Sequence, residues 1–102
     1  MTDQLHRRYA RIRIRDLVAL TVTAQTKNML AASVILGMSQ PAMSASVASL
    51  EQVVGMRLLA RQPRGVTLTA AGLLMLGHTL KLKVAMQVMA TEMEALRLSS
   101  SA

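Results

Sequence analysis

The chain is 102 residues long, room for one small domain, and 52% of it is apolar, so a compact core rather than a disordered chain is expected. Twelve Lys and Arg against five Asp and Glu leave a formal net charge of +7, which favours a polyanionic partner, nucleic acid or an anionic membrane, over an acidic substrate. With no Cys, Trp or Phe and a single Tyr, disulfides and cysteine-ligated metals are excluded, and base stacking on aromatic platforms is not expected.

Residues 1–13 read as a basic arm, a solvated tail or a phosphate-contacting segment, in which Arg7, Arg8, Arg11 and Arg13 interleave with Tyr9 and Ile12 and Arg15 follows. The arm and the apolar run Leu17 to Ala24 have the outline of a secretory signal. Asp16 stands at the boundary, however, and Thr21 and Thr23 interrupt a run that is already short. Leu17, Leu20 and Ala24 recur at helical spacing, so the spacing predicts a helix from about Ile14 to Thr26 with Leu17, Val18, Leu20 and Ala24 inward. Asn28 has the side chain of an N-cap for a short apolar helix, Met29 to Leu36, that Gly37 closes. Ser39 caps a third helix, Gln40 to Val54, with Pro41 in its first turn, where the missing N–H costs little. Met43, Val47, Leu50 and Val54 recur on one face of it, and Gly55 ends it. Two short helices joined by a tight Gly-containing turn describe a helix-turn-helix.

Beyond Gly55 the apolar pattern resumes briefly over Met56 to Leu59; Arg61-Gln-Pro-Arg-Gly65 then reads as a turn, and Val66-Thr-Leu68 alternates as a short strand. Together these make a two-stranded wing. Thr69 caps a final helix that extends to about Leu98, roughly 45 Å at 1.5 Å per residue, too long for the small core alone. Ala71, Met75, Leu82, Met86, Met89, Met93 and Leu96 fall within about 40° of one line of this helix, with Leu73, Leu76, Leu80, Val84 and Val88 opposite. One face can cover the helix-turn-helix. The other needs a second surface, and a second copy of the chain is the natural candidate, with Leu82, Met86, Met89, Met93 and Leu96 as its seam. An adaptable Met-rich surface for other partners is the alternative. Residues 99–102 read as a tail.

His6 and His78 lie far apart in the chain, and Asp3, Asp16, Glu51, Glu92 and Glu94 form no paired arrangement with them, so neither an enzyme nor a metal or other cofactor site is expected. The stretch Leu73 to Ala90 is long enough to span a bilayer, but Gly77, His78, Lys81, Lys83 and Gln87 fall within it. A surface-bound amphipathic helix would carry one apolar and one basic face rather than two apolar ones. A soluble, cytoplasmic protein without membrane contact is expected. With about a third of the chain in one long helix and the rest needed for the winged core, no element is left to enclose a small-molecule effector pocket.

The run Asn28-Met-Leu-Ala-Ala-Ser-Val-Ile-Leu-Gly-Met-Ser-Gln-Pro-Ala-Met-Ser44 resembles the helix-turn-helix of LysR-type transcriptional regulators, whose hallmark is an Ala pair, a Leu, then Ser-Gln-Pro-Ala-x-Ser. Leu50-Glu51, Gly55, Leu58-Leu-Ala-Arg61, Pro63-Arg-Gly65 and Leu68-Thr69-x-x-Gly72 continue the likeness in order, and it covers Ile14 to about Leu98. Molybdate-responsive regulators share a similar winged domain, but the Ser-Gln-Pro-Ala-x-Ser run fits the LysR type better. The resemblance implies a mainly α fold: a winged helix-turn-helix of three helices plus a short two-stranded wing, over 14–68, then a long dimerisation helix over 69–98. It implies double-stranded DNA as partner, the third helix in the major groove, the wing on the minor groove or backbone, and pairing of two copies, with a higher oligomer possible. By this match Ser39, Gln40, Pro41, Ser44 and Ala45 face the groove and Arg61 and Arg64 sit on the wing, while outside the matched stretch the positive charge of Arg7, Arg8 and Arg11 is expected to meet phosphates.

The sequence departs from the family pattern at several points. Ala45 stands where the family commonly has Arg, and Ser46, Ala48 and Ser49 are small, so the recognition helix holds no cation and one acid, Glu51. Leu59 replaces the usual Phe, and Ser33 the second Ala of the pair. The effector-sensing domain of full-length members does not follow the long helix, which suggests a fragment or a stand-alone DNA-binding protein. A dimerising module that modulates other regulators without sequence-specific readout is the alternative function.

Overall fold

In the computed structural model, which describes residues 2–100, the chain forms helices α1 (Thr2–Tyr9), α2 (Ile14–Thr26), α3 (Met29–Leu36) and α4 (Gln40–Val54), strands β1 (Leu59–Gln62) and β2 (Gly65–Leu68), and helix α5 (Ala70–Ser100). This is the winged helix-turn-helix with a long final helix that the sequence implies, with α1 added in front. Capping chemistry sets the middle of the chain. The Asn28 side chain accepts from the Ala31 N–H at 3.0 Å to open α3, and the Ser39 hydroxyl accepts from the Ala42 N–H at 3.2 Å to open α4. Gly37 and Gly55 close the two helices at φ 63° and 71°, a conformation glycine adopts without penalty. Between α3 and α4 the chain turns through 103°, within the range of a helix-turn-helix.

Leu17, Ala19 and Leu20 of α2 meet Met43, Val47 and Leu50 of α4, Leu58 and the first wing residue, Leu59, to form the core. The hydroxyls of Thr21 and Thr23, both buried on α2, donate to the carbonyls of Leu17 and Ala19 at 2.8 Å, so they enter the core satisfied. Asp16 is fully buried in the first turn of α2 and is paired with Arg13 at 3.1 Å. Val18, expected inward, is instead 40% exposed, because the buried arc of α2 runs through Leu17, Ala19 and Leu20 and leaves Val18 at the edge where α5 passes.

The strands of the wing run closer to its tip than the sequence implies. Arg61 and Gln62 are strand residues rather than turn, pairing antiparallel with Val66 and Gly65, and only Pro63 and Arg64 form the turn. Gly65 sits at φ 138°, and a Cβ there would lie 2.3 Å from the Lys27 carbonyl, to which the Val66 N–H donates at 3.1 Å. Glu51, the one acid of α4, turns its carboxylate away from solvent to accept the N–H of Leu58 at 2.8 Å. Thr69 caps α5 as expected, accepting from the Gly72 N–H at 3.1 Å, while its own N–H donates to the Leu58 carbonyl at 3.0 Å. The last helix continues through Ser99 and Ser100, read as tail; Ser101 and Ala102 lie outside the described residues. Among the described residues no single helix is long and apolar enough to cross a membrane.

The stretch read as an arm is largely the helix α1, and it packs on the end of α4. Arg8 donates from Nε to the Val53 carbonyl at 2.6 Å, supplying a cation to a last turn that has none of its own. Replacing Arg8 by Ala leaves that carbonyl without its charged donor and is expected to lower unfolding stability by about 1 kcal/mol, read from urea denaturation. The two glycines of α5 give a sharper comparison. A Cβ at Gly72 would fall 2.2 Å from the Leu58 carbonyl oxygen, whereas one at Gly77 meets nothing within 4 Å. Gly72→Ala is expected to cost about 1–3 kcal/mol through forced separation of α5 from the wing. Gly77→Ala should gain about 0.5–1 kcal/mol from helix propensity. The same denaturation series checks both signs.

Candidate nucleic-acid interface

The outward ridge of α4 follows from its inward one. With Met43, Ser46, Val47, Leu50, Val53 and Val54 buried, the residues turned to solvent at i, i+4, i+7 and i+11 are Pro41, Ala45, Ala48 and Gln52, with Gln40 exposed at the N-terminal end. Ser44 is half-buried on the flank. Ser39 is exposed, with its hydroxyl oxygen engaged in capping the helix. Ser46, counted from sequence with the small residues of the recognition helix, points into the core and contributes nothing to the outward face. Glu51 is likewise occupied: its carboxylate faces the Leu58 and Leu59 N–H groups and the Arg57 guanidinium at 3.5 Å. The ridge is therefore uncharged along its whole length. It offers two methyls, a pyrrolidine edge and an amide at either end.

Arg61 and Arg64 are exposed on the wing, and among the described residues neither takes part in an ion pair. The close approach of Gly65 to the Lys27 carbonyl sets the wing turn against the corner where α2 ends and α3 begins. Lys27, held at φ 57° and exposed, thereby joins Arg64 at one edge of the molecule. Sequence reasoning passed over Lys27, whose only signal was its place beside the Asn28 cap. Arg7, Arg8 and Arg11 are not gathered with these groups. Arg8 is tied to Val53 at the C-terminal end of α4, about 20 Å from Gln40 at 1.5 Å per residue, and Arg7 and Arg11 are exposed on and just beyond α1.

The long helix divides in two. Ala71 and Met75 pack on the core, but every residue from Lys81 to Ser100 is exposed, including Leu82, Met86, Met89, Met93 and Leu96 on one line and Val84 and Val88 on the other. Two apolar clefts flank its inner half. One, of about 450 Å³, lies among Tyr9, Ile12, Leu17, Met75, His78 and Leu82; the other, of about 260 Å³, lies among Ile14, Val18, Leu80, Leu82 and Met86. The larger cleft was not foreseen because α1, read as an arm, supplies one of its walls through Tyr9. Its lining holds no converging set of charged groups, and among the described residues no three His, Asp or Glu side chains come together. On the outer half of α5, Arg97 pairs with Glu94 one turn away and draws the Glu94 carboxyl below its ordinary range.

Residues 14–73 match the model of the bacterial regulatory helix-turn-helix proteins of the lysR family. The SDS degradation transcriptional activation protein of a Pseudomonas species is 43% identical over 69 residues, covering 68% of this chain and 22% of that protein. The regulator PcaQ of Agrobacterium fabrum is 37% identical over 68 residues, covering 67% and 22%. The chain thus spans about a fifth of the length of these curated relatives. Among solved structures, the CbnR_DBD–DNA complex is similar at 33% identity and a TM-score of 0.74, over 82% of this chain and 98% of that one. The LysR family transcriptional regulator CbnR is similar at 31% identity and a TM-score of 0.77, over 81% and 29%. With the family model covering more than half of the chain and the same winged architecture on both sides of the comparison, the chain belongs to the LysR family of bacterial helix-turn-helix regulators.

Proposed function

We propose that this chain is a DNA-binding unit of a transcriptional regulator, that it binds double-stranded DNA as a homodimer, and that it acts in the cytoplasm by binding rather than by catalysis. The observation that carries the reading is the separation of two kinds of surface. An uncharged ridge on α4, with Gln40 at its tip, suits base edges in the major groove; Arg61, Arg64 and Lys27 around the wing suit phosphates of the backbone or adjacent minor groove. The similarity to a domain solved with DNA, at 33% identity, supports it. Gln40 is the principal base reader and Ser44 a flanking contact, while Arg61 and Arg64 position the duplex. Arg8 acts through the fold, as the cap of α4, rather than on DNA.

Dimerisation follows from the exposed outer half of α5. A second copy laid along Leu82, Met86, Met89, Met93 and Leu96 would also close the cleft beside Ile14 and Val18, since Leu82 and Met86 line it. Met89→Asp together with Met93→Asp puts like charges into a self-complementary seam, so sedimentation is expected to find monomers. A double variant that stays dimeric would place the seam elsewhere.

Replacing Arg61 and Arg64 by Ala is expected to weaken binding to all sequences alike and to lower the slope of log K against log salt by about 0.9 for each phosphate no longer neutralised. Gln40→Ala should instead cost about 1–3 kcal/mol on the preferred site only. Selection of bound duplexes from a random pool supplies that site. An enriched interrupted palindrome supports the proposal, whereas a dimer that enriches nothing supports the alternative, a dimerising module without sequence readout.

A further inference from the structure

The outward ridge of α4 departs from what a guanine-reading helix needs. Guanine is read by Arg or Lys donating to its O6 and N7, and no cation stands on this helix. At its centre are two methyl groups, Ala45 and Ala48, both exposed and three residues apart. Side chains at that spacing have Cβ atoms about 5–6 Å apart, a span that covers neighbouring base steps of about 3.4 Å each. In the major groove the only apolar group a base pair presents is the thymine C5 methyl. A methyl pressed against a G·C pair would cover polar edge atoms without replacing their water hydrogen bonds, an unfavourable exchange. Against thymine it removes apolar surface on both partners, and alanine has no side-chain rotamers to immobilise.

We propose that Ala45 and Ala48 read thymine C5 methyl groups, so that this helix selects A·T pairs by apolar contact at the positions opposite its centre. The inference rests on α4 being the groove-reading helix. It adds the identity of the bases read and the two residues that read them. The ridge is suited to this role because nothing competes with it: Glu51 is held by the Leu58 N–H, and Ser46 is buried.

The test uses the full chain and the duplex enriched from a random pool. Deoxyuridine replaces thymidine throughout the half-site, which keeps base pairing and removes only the C5 methyl. Affinity is expected to fall about fourfold for each methyl contacted, taking about 0.8 kcal/mol per buried carbon. The double variant Ala45→Ser with Ala48→Ser changes only exposed positions, and retained helicity by circular dichroism establishes its fold. It is expected to bind thymine and uracil duplexes alike. Ala45→Arg should move the enriched sequence towards guanine at that position. Wild-type binding that is enriched and salt-sensitive yet indifferent to uracil overturns this inference and leaves the DNA-binding proposal standing. Equal uracil sensitivity in the double Ser variant, or a G·C-rich enriched centre, also overturns it. Absence of any enrichment overturns both.

Discussion

The backbone of Leu58 is held from two sides. Its N–H donates to the Glu51 carboxylate of α4 at 2.8 Å, and its carbonyl accepts the Thr69 N–H at 3.0 Å just where α5 begins. That carbonyl also lies where a Cβ on Gly72 would be, 2.2 Å away, so α5 can cross the start of the wing only with glycine at that position. One residue thus joins the helix-turn-helix, the wing and the long helix. Its own side chain is buried in the core, so the junction is at least partly shielded, and an unmade hydrogen bond there would cost more than at the open surface. The spacing of Leu50-Glu51, Leu58, Thr69 and Gly72 along the sequence is the linear image of this junction. The pattern is therefore a statement about backbone hydrogen bonds rather than about DNA.

Fixing Glu51 inward has an electrostatic consequence. From Met29 to Val54 it is the only charged residue, so once its carboxylate serves the wing the whole outer surface of α3 and α4 is neutral. Leu30, Val34 and Ile35 stand exposed on α3, Val34 at 73%. Positive charge is displaced to the ends of the unit, to Lys27 and the wing on one side and to α1 on the other. On the proposed mode of binding, attraction to a polyanion is sequence-independent and peripheral, and discrimination is left to short side chains at the centre. A long cation at position 45 would merge the two roles. Ala45 keeps them apart, so on the proposed mode of binding affinity depends steeply on salt while preference among sequences does not.

The elements most legible in the sequence were those whose ends carry a chemical stop. Asn28, Gly37, Ser39 and Gly55 fix α3 and α4 to the residue, because each supplies a side-chain acceptor or a left-handed backbone that few other residues provide as readily. Of the residues expected at the candidate site, Gln40, Pro41, Ala45, Arg61 and Arg64 are exposed, which is what a contact role requires of them. Arg61 was misread as turn because Pro63 follows so closely, although Pro is compatible with a strand's end. Helix α1 was illegible because its apolar content is Leu5 and Tyr9, both exposed, and its docking relies on a long-range bond from Arg8 to Val53 and on Tyr9 at the edge of a cleft, neither of which leaves a periodic pattern. Sequence periodicity reports burial, and α1 buries little. The inward roles of Ser46 and Glu51 were not legible for the complementary reason: a polar residue on a helix shows no distant partner in the sequence.

The long helix poses a different physical problem, since its outer half is exposed throughout, Leu82 and Met86 only edging the clefts beside α2. Leu82, Met86, Met89, Met93 and Leu96 on one side and Leu80, Val84 and Val88 on the other leave apolar side chains in water, at a cost that burial would recover at roughly 25 cal/mol per Å². A coating of charge cannot relieve this, because beyond Lys83 the helix carries only Glu92, Glu94 and Arg97, and two of those neutralise each other. Pairing two copies along the first line covers one face and leaves the second. A twofold pair built this way still presents an apolar stripe on each outer side, and covering that stripe requires either chain that follows α5 in a longer protein or the meeting of two such pairs. On the proposed pairing, the second stripe is thus a surface separate from the residues that close the first, and it is where a higher oligomer, if one forms, would be sealed.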